Sequence, residues 1–200
     1  MYKVSVIIPV YNAENYLENT INSIINQSLG FENIELLLID DNSSDNSRNI
    51  ILKYAKEYKN IKYFFSNENH GFPGFGRGYC VKLASSNYIM FLDNDDEFDH
   101  DMCKRLYNAA EKYKCDIVCC DIKEIDEVSE EIHKLCNDNT EKVIILYGED
   151  LFKYETTWVW NKLFRKDIVE NNNINFLTDT YCDDKAFCTE YMLYANKMYI

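Results

Sequence analysis

Carboxylates with the spacing of a divalent-metal site follow a short apolar run near the middle of the chain. Residues 89–92 lead directly into Asp93, Asn94 and Asp95. Such a run is typical of a strand buried on both faces, which would deliver the acids to the carboxyl edge of an open α/β sheet, where ligands bind. Because clustered carboxylates repel one another, a hard cation commonly holds them. The pattern indicates a Mg²⁺ or Mn²⁺ site of the form Asp93-x-Asp95; the alternative is a solvated acidic turn in which Asp99 caps the next helix.

A second acidic strand end and a glycine-rich segment favour a ligand site. Asp40 and Asp41 follow the apolar run 34–39, and segment 67–78 carries Arg77 among four glycines. A carboxylate can accept a hydrogen bond from a nucleobase or a ribose, glycine lets backbone approach a ligand, and arginine can pair with a phosphate. The alternatives are a turn capped by an Asp side chain and an arginine paired with a surface acid. The segment lacks Gly-Lys-Ser and Gly-Lys-Thr, so it is not a Walker sequence.

Composition limits the class of protein and its partners. The chain has 200 residues, enough for one sizeable core, and its 46% hydrophobic content argues against disorder. The net charge of −13 argues against a nucleic acid partner and means that a phosphate ligand would need a cation beside it. The eight cysteines form no Cys-x-x-Cys pair, and we interpret them as reduced, mostly buried thiols of a cytoplasmic protein. The sequence shows no signal peptide and no apolar run long enough to span a membrane.

Strand-like and helix-like segments alternate through the first part of the chain. Strands are predicted at 4–10, 34–39, 61–65, 88–92 and 116–121, and helices at about 13–27, after Ser44 or Asp45, after Gly78 and from Asp99 to about 114. This order predicts an α/β fold with a mostly parallel sheet and helices on both faces. Right-handed crossovers would then bring Tyr11, Asp40, Asp41 and Asp93 to one edge of the sheet.

The second part of the chain has a less regular pattern. Residues 142–147 fit a strand, 157–164 fit a strand or a tight turn packed by two tryptophans, and a short helix is predicted from about Lys166. Another helix is predicted after Asp184, and a last strand begins at Met198. Asp184 taken alone would be interpreted as a helix cap.

Five segments in chain order resemble the successive motifs of inverting family-two glycosyltransferases with the GT-A fold. They are residues 4–12, 38–45, 91–96, 160–164 and 181–184. The resemblance spans essentially the whole chain and implies a single GT-A domain, with a nucleotide-sugar-binding half at 1–98 and an acceptor and catalytic-base half at 99–200. Family members usually continue beyond this point, which leaves open a fragment, a compact member or a truncated product.

The resemblance also implies roles for individual residues. Those expected to bind the nucleotide sugar are Pro9, Tyr11, Asp40, Asp41, Arg77, Asp93 and Asn94. The metal ligands would be Asp93 and Asp95, the catalytic base would be Asp184, and Trp160, Lys162 and Asp183 would lie on the acceptor side. Two features depart from the family pattern, since the spacing from Gly71 to Arg77 is one residue longer than usual and Gly78 replaces the usual Asn. No role is assigned to His70, His100 or His133.

The implied activity is a metal-dependent, inverting transfer of a sugar. The donor would be a nucleotide diphosphate sugar, with a UDP-sugar as the first choice, and the cofactor would be Mn²⁺ or Mg²⁺. The acceptor would be a saccharide or lipid-linked saccharide in surface polysaccharide or glycolipid synthesis, in the cytoplasm or at the inner face of the membrane. Two alternatives stay open: an inactive nucleotide-sugar-binding module of a larger polymerase, and a nucleotidyltransferase, which would release pyrophosphate.

Overall fold

The computed structural model describes residues 1–125, 130–133, 145–154 and 157–200. Its strands are β1 (Val4–Val10), β2 (Ile34–Asp40), β3 (Ile61–Phe65), β4 (Tyr88–Phe91), β5 (Ile117–Cys119), β6 (Ile122–Ile125), β7 (Glu130–His133), β8 (Ile145–Tyr147), β9 (Lys162–Arg165) and β10 (Lys197–Tyr199). Its α-helices are α1 (Leu17–Ile25), α2 (Ser47–Glu57), α3 (Pro73–Leu83), α4 (Met102–Tyr113), α5 (Lys166–Asn171) and α6 (Asp183–Tyr194). Two short 3₁₀ helices cover Phe31–Asn33 and Gly148–Tyr154.

Eight of the described strands form one sheet, in the order β3-β2-β1-β4-β9-β5-β10-β8. The pairs β3–β2, β2–β1, β1–β4 and β5–β10 are parallel. β9 runs antiparallel between β4 and β5, and β8 runs antiparallel to β10. The predicted α/β class with a mostly parallel central sheet is confirmed. Because β4 and β9 are adjacent, the sheet continues from the first half of the chain into the second.

Helices cover both faces of this sheet. Successive strand residues point to opposite faces, so Val6 and Ile8 pack in one buried cluster with α1, α2 and α4, whereas Ile7 and Leu37 pack in a second cluster with α3, α5 and α6. Strands buried on both faces must be apolar at nearly every position, which explains the continuous runs in the sequence.

The largest difference from the predicted elements concerns the glycine-rich segment. Helix α3 begins at Pro73, so that Gly74, Gly76 and Arg77 are helical, and the prediction of a loop extending to Gly78 is wrong. Proline is well tolerated in the first turn of a helix because its missing N–H would have no intrahelical partner there.

Other boundaries shift by a few residues. Helices α1 and α4 are shorter than predicted, and Asp45 accepts a hydrogen bond from the Ser47 backbone N–H at 3.0 Å at the start of α2. Residues 157–160 form a bend and turn that leads into β9. Of the strand predicted at 142–147, residues 142–144 lie outside the described residues and the remainder is β8.

The cysteines of the described segments are free thiols. Those that are buried are Cys80, Cys103, Cys115, Cys119 and Cys188, whereas Cys120 is partly buried and Cys182 is exposed. The prediction of free, mostly buried thiols is confirmed for them; Cys136 lies outside the described residues. None of the helices in the described ranges combines the length and the apolar composition needed to cross a bilayer.

Candidate active site

The carboxyl ends of β1 and β2 meet at one edge of the sheet. Val10 pairs with Asp40 in the register of the two strands, and the Asp41 N–H donates a hydrogen bond to the Val10 carbonyl at 2.8 Å. The loops that follow are tied together, since the Asn12 N–H donates to Ser43 Oγ at 2.9 Å. The two loops therefore form one surface beyond the sheet.

Pro9 and Tyr11 flank the last residue of β1 in different environments. Tyr11 is about half exposed, so its ring is available to a ligand. Pro9 is partly buried and lies close to α3, because a Cβ built on Gly76 would be 3.4 Å from the Pro9 Cβ. Pro9 therefore shapes the floor of the edge, whereas Tyr11 projects from it.

Asp40 has a buried position that sequence alone did not predict. Its carboxylate is 0% exposed, accepts from Arg48 Nε at 2.6 Å and accepts from the Ser43 N–H at 3.1 Å. Arg48 also donates from Nη2 to the Ser66 carbonyl at 2.7 Å. These contacts hold the turn after β2, and they leave Asp40 out of reach of a ligand in this conformation, contrary to the expected contact with a nucleotide.

Asp41 lies nearer the surface and is held by His70. The Asp41 Oδ2 accepts from the His70 backbone N–H at 2.8 Å, and Oδ1 lies 2.6 Å from His70 Nδ1. The Asp41 side chain is 16% exposed. The His70 ring stacks on Phe75, with ring centroids 3.5 Å apart and an interplanar angle of 9°. Asp41 is thus fixed in orientation and still open to solvent.

Polar side chains on α1 and just after its end position the acidic loop that follows β4. Thr20 Oγ1 donates to the Asn94 carbonyl at 3.0 Å, and Gln27 Nε2 donates to the Asp99 carbonyl at 2.7 Å. Ser23, between them in sequence, accepts from the Phe98 N–H at 3.2 Å. Thr20 and Ser23 are three residues apart and lie on one side of α1, and Gln27 follows two residues after the end of the helix. These hydrogen bonds therefore hold the backbone of the acidic loop and occupy none of its carboxylates.

The acids of this loop are crowded. Partial burial is the main cause that raises the pKa of Asp96 to about 6, and the negative charges of Asp93 and Asp95 add to the shift. Among the described residues, no group of three or more His, Cys, Asp or Glu side chains is arranged to hold a metal ion. Magnesium is usually bound through one or two carboxylates together with phosphate oxygens, so Asp93 and Asp95 fit such an ion when a phosphate ligand completes the shell.

Arg77 is the centre of an ion-pair cluster that joins two distant parts of the chain. Nη2 donates to Asp93 Oδ1 at 2.5 Å, and Nη1 donates to Asp183 Oδ2 at 2.7 Å and to Asp184 Oδ1. The Arg77 side chain is 3% exposed, and within the described residues its Nε has no hydrogen-bond partner. Three carboxylates surround one guanidinium, so Arg77 is the internal counter-ion of the site and is not presented openly to a phosphate.

Two glycines of α3 allow Arg77 to reach this position. A Cβ on Gly74 would lie 1.9 Å from the Leu177 carbonyl oxygen, and a Cβ on Gly76 would lie 2.8 Å from Ile39 Cγ2. Both distances are too short for any side chain, because real Cβ atoms do not approach other atoms so closely. The glycines therefore let α3 pack closely against other parts of the protein, which is a different role from the predicted close approach of backbone to a ligand.

Asp183 and Asp184 begin α6 but differ in exposure. Asp183 is 2% exposed and pairs with Arg77, so it does not line an open acceptor face as expected. The Asp184 side chain is 18% exposed, and its Oδ2 accepts from the Val159 N–H at 3.3 Å. Burial raises the pKa of Asp184 to about 6, although Arg77 opposes the shift. A carboxylate with this pKa is suited to accept a proton near neutral pH.

The tryptophan turn that supplies Val159 packs beside Asp184. Trp158 and Trp160 stack with ring centroids 5.4 Å apart, and Trp158 is 41% exposed. Lys162 is fully buried, and its Nζ donates to the Trp158 carbonyl at 2.5 Å and to Asn161 Oδ1 at 2.7 Å. Lys162 therefore supports the turn from beneath and does not line an open acceptor surface. Trp158, which was not among the predicted acceptor-side residues, is much more exposed than Lys162.

Arg48 and His70 are the other residues that the sequence pattern did not single out. Arg48 looks like any charged residue on an amphipathic helix. His70 stands directly before Gly71, whose φ of 81° turns the chain. A histidine at such a turn, close in the fold to an acidic strand end, is the hint that could have identified it.

Comparison with known proteins identifies the family of the chain. The family model described as Glycosyl transferase family 2 matches residues 5–182. The Poly(ribitol-phosphate) beta-glucosyltransferase of Bacillus spizizenii is 30% identical over 98% of this chain and 30% of its own length. The Cholesterol galactosyltransferase of Borreliella burgdorferi is 31% identical over 98% of this chain and 57% of its own length. The chain thus spans less than two thirds of the length of these relatives.

Solved structures show the same fold. Staphylococcus aureus TarS 1–349 in complex with UDP-GlcNAc matches with a TM-score of 0.86 and 24% identity, covering 98% of this chain and 55% of that one. The mannosyltransferase PcManGT of Pyrobaculum calidifontis, in complex with GDP-Man and Mn²⁺, matches with a TM-score of 0.71 and 16% identity, covering 99% of this chain and 55% of that one. At these identities the similarity establishes the architecture of the chain.

Proposed function

The chain belongs to glycosyl transferase family 2, and on this premise we propose that it transfers a sugar, with inversion, from a nucleotide diphosphate sugar to an acceptor hydroxyl. A UDP-sugar is the proposed donor, because similar folds have been solved with UDP and UDP-GlcNAc. The proposed acceptor is a saccharide or lipid-linked saccharide of a surface glycopolymer or glycolipid, in line with the names of the relatives. The division into a donor half at 1–98 and an acceptor half at 99–200 stays a prediction, as does action at the inner face of the membrane.

The Arg77 cluster is the observation that carries this proposal. It joins Asp93, at the end of a parallel strand where a donor phosphate would be expected, to Asp184 at the start of α6. A transferase needs both ends of this arrangement, because one substrate loses a diphosphate while the other loses a proton. A scaffold protein has no need to hold three carboxylates around one buried arginine, since such clusters are costly to desolvate.

The nucleoside part of the donor would bind at the loops after β1 and β2. Tyr11 offers an exposed aromatic face, and Asp41 offers a fixed carboxylate that can accept a hydrogen bond from a base N–H or a ribose hydroxyl. Pro9 and Asp40 would act indirectly, Pro9 by packing under the edge and Asp40 by holding the turn through Arg48.

The diphosphate would bind toward the acidic loop. Asp93 and Asp95 would hold Mn²⁺ or Mg²⁺, and Asn94 between them is held in place through its carbonyl. The ion, when bound, would offset the negative charge that grows on the leaving diphosphate. A cation is needed because the chain carries a net charge of −13 and Arg77, the nearest buried guanidinium, is already paired with three carboxylates.

Asp184 would act as the catalytic base. The acceptor O–H proton passes to its carboxylate while the acceptor oxygen bonds to C1 of the donor sugar. The bond from C1 to the diphosphate oxygen breaks at the same time, and its electron pair leaves with the nucleoside diphosphate. Attack from the face opposite the leaving group inverts the configuration at C1. The Val159 N–H and Arg77 hold the carboxylate in place, and the exposed face of Trp158 is positioned to contact the acceptor.

Product analysis tests the proposal directly. The protein is incubated with Mn²⁺ and, in turn, UDP-glucose, UDP-galactose, UDP-GlcNAc, UDP-GalNAc and GDP-mannose, and released nucleotide is measured by anion-exchange chromatography. We expect slow release of UDP from at least one donor by transfer to water, and loss of that release when EDTA removes the metal.

Two results would contradict the proposal. Release of pyrophosphate from UTP and a sugar 1-phosphate would identify a nucleotidyltransferase. Tight binding of UDP in the presence of Mn²⁺, with no turnover across the donors and simple glycoside acceptors, would identify an inactive binding module.

A further inference from the structure

His70 holds the carboxylate that we assign to the nucleobase. Both oxygens of Asp41 are occupied by this one residue, Oδ2 by the backbone N–H at 2.8 Å and Oδ1 by the ring Nδ1 at 2.6 Å. A carboxylate accepts only, so Nδ1 must carry the proton of the ring in this contact. Four lone-pair positions are available on a carboxylate, so two remain for a ligand.

The imidazole ring is itself immobilised, although it lies in a loop. It stacks on Phe75 at 3.5 Å between centroids, and Phe75 stacks in turn on Tyr79 at 6.1 Å. Tyr79 packs on Phe64 of β3 at 4.6 Å. This column of rings ties His70 to α3 and to the sheet, so Asp41 is oriented by a rigid element.

We propose that His70 is a positioning residue that fixes Asp41 so that the site selects a nucleobase presenting a ring N–H. The inference rests on the proposed function of Asp41. A pinned carboxylate accepts a hydrogen bond from the N3–H of uracil, whereas cytosine of the same size presents a lone pair at N3 and is repelled. If Asp41 could rotate, it would reach the exocyclic amine of cytosine and the preference would weaken, because discrimination by hydrogen bonds depends on leaving the wrong partner unpaired.

The test compares UDP with CDP by isothermal titration calorimetry in Mn²⁺. The wild-type protein should bind UDP more tightly than CDP. The His70→Ala variant keeps the backbone hydrogen bond but loses the ring, and its UDP-to-CDP affinity ratio should fall roughly tenfold, the effect of losing one hydrogen bond to a charged group. In His70→Asn the side-chain amide N–H can occupy the place of Nδ1–H, so this variant should recover most of the ratio.

Two controls separate positioning from a loss of folding. His133→Ala, at a histidine on β7 that is partnered by Glu124, should leave the ratio unchanged. Binding of inorganic pyrophosphate in Mn²⁺ should be equal in wild type and His70→Ala, because pyrophosphate does not reach Asp41.

The outcomes distinguish this inference from the proposed function. A wild-type protein that prefers UDP, with an unchanged ratio in His70→Ala, would overturn the role of His70 and leave the donor assignment standing. A wild-type protein that binds neither nucleotide would overturn the proposed function itself. Equal loss of UDP, CDP and pyrophosphate binding in His70→Ala, together with no recovery in His70→Asn, would mean that the histidine only supports the fold, and would also overturn the inference.

Discussion

Replacement of Asp184 by Asn should remove sugar transfer and spare the fold, whereas the same change at its neighbour Asp183 should weaken the fold first. Asp183 is 2% exposed and pairs at 2.7 Å with Arg77, which is 3% exposed. Loss of a hydrogen bond between buried charged groups costs about 2–3 kcal/mol in the free energy of unfolding. For a chain of this size such a loss lowers the melting temperature by roughly 4–12 °C.

Asp184→Asn should behave differently because burial disfavours its charge, so removing the charge offsets the loss of its ion pair with Arg77. The amide oxygen of Asn can still accept from the Val159 N–H, and Arg77 keeps its pairs with Asp93 and Asp183. We expect a change of less than about 1 kcal/mol in the free energy of unfolding. Without a proton acceptor, kcat should fall about 10²–10⁴-fold, which corresponds to about 3–5 kcal/mol in the activation free energy.

The two variants are compared by urea denaturation, by UDP release from the preferred donor, and by UDP binding in Mn²⁺. Asp179→Asn, an exposed aspartate on the same segment, is the matched control and should resemble wild type in all three assays. The reasoning is refuted if Asp184→Asn keeps kcat within tenfold of wild type. It is equally refuted if Asp183→Asn is as stable as wild type while Asp184→Asn is several kcal/mol less stable.

Three further predictions follow from the acids of the site and of the opposite edge. In Asp95→Asn the Kd for UDP should rise at least tenfold in Mn²⁺ and stay at the wild-type value in EDTA, because the exposed carboxylate would act only through the ion; equal weakening under both conditions would contradict this role. Because burial raises the pKa of Asp184 to about 6, kcat should fall about tenfold per pH unit below pH 6 in a pH–rate profile. The raised pKa also means that the native state binds this proton more tightly than the unfolded chain does. The stability that Asp184 contributes is therefore present below pH 3.8 and is lost as the pH rises through about 6. Glu35 is buried near the amino ends of the strands, where burial raises its pKa but hydrogen bonds from Lys62, Ser5 and Ser85 outweigh burial and lower the pKa below 4.5. Glu35→Gln should therefore lower the free energy of unfolding by about 1.5–3 kcal/mol in urea denaturation at pH 7. The difference in stability between this variant and wild type should shrink as the pH falls below 4.5.

The strands and most helices could be predicted because their signal is local. Val4–Val10 and Ile61–Phe65 are mostly apolar runs, and both form strands with the predicted bounds. The first part of helix α3, from Pro73 to Gly78, could not be predicted, because glycine is unfavourable inside helices and the reason for Gly74 is a carbonyl at Leu177, about a hundred residues further along the chain. The antiparallel position of β9 between β4 and β5 is likewise a matter of tertiary pairing.

The site divides in the same way between local and distant information. The motifs identified the acids at the strand ends, but the partners of Arg77 lie 16, 106 and 107 residues away in sequence. No window of neighbouring residues contains that cluster. The buried position of Lys162 could not be predicted for a related reason, since a lysine is usually exposed and this one lies beneath the tryptophan turn.

The two aspartate doublets of the site follow one rule, which explains why each has two acids. In Asp40-Asp41 and in Asp183-Asp184 the first carboxylate is buried and paired with an arginine, whereas the second is partly exposed. A working carboxylate at a strand or helix end must be held still, and a buried ion pair one residue earlier anchors the backbone that carries it. The anchor must be charged to hold its arginine, but a charge is tolerated in the interior only when it is paired. A sequence therefore shows two equivalent acids, and the fold makes the first a support and leaves the second available for chemistry. By this reasoning Asp41 and Asp184, and not their neighbours, are the positions at which an Asn substitution should change ligand binding or turnover before it changes stability.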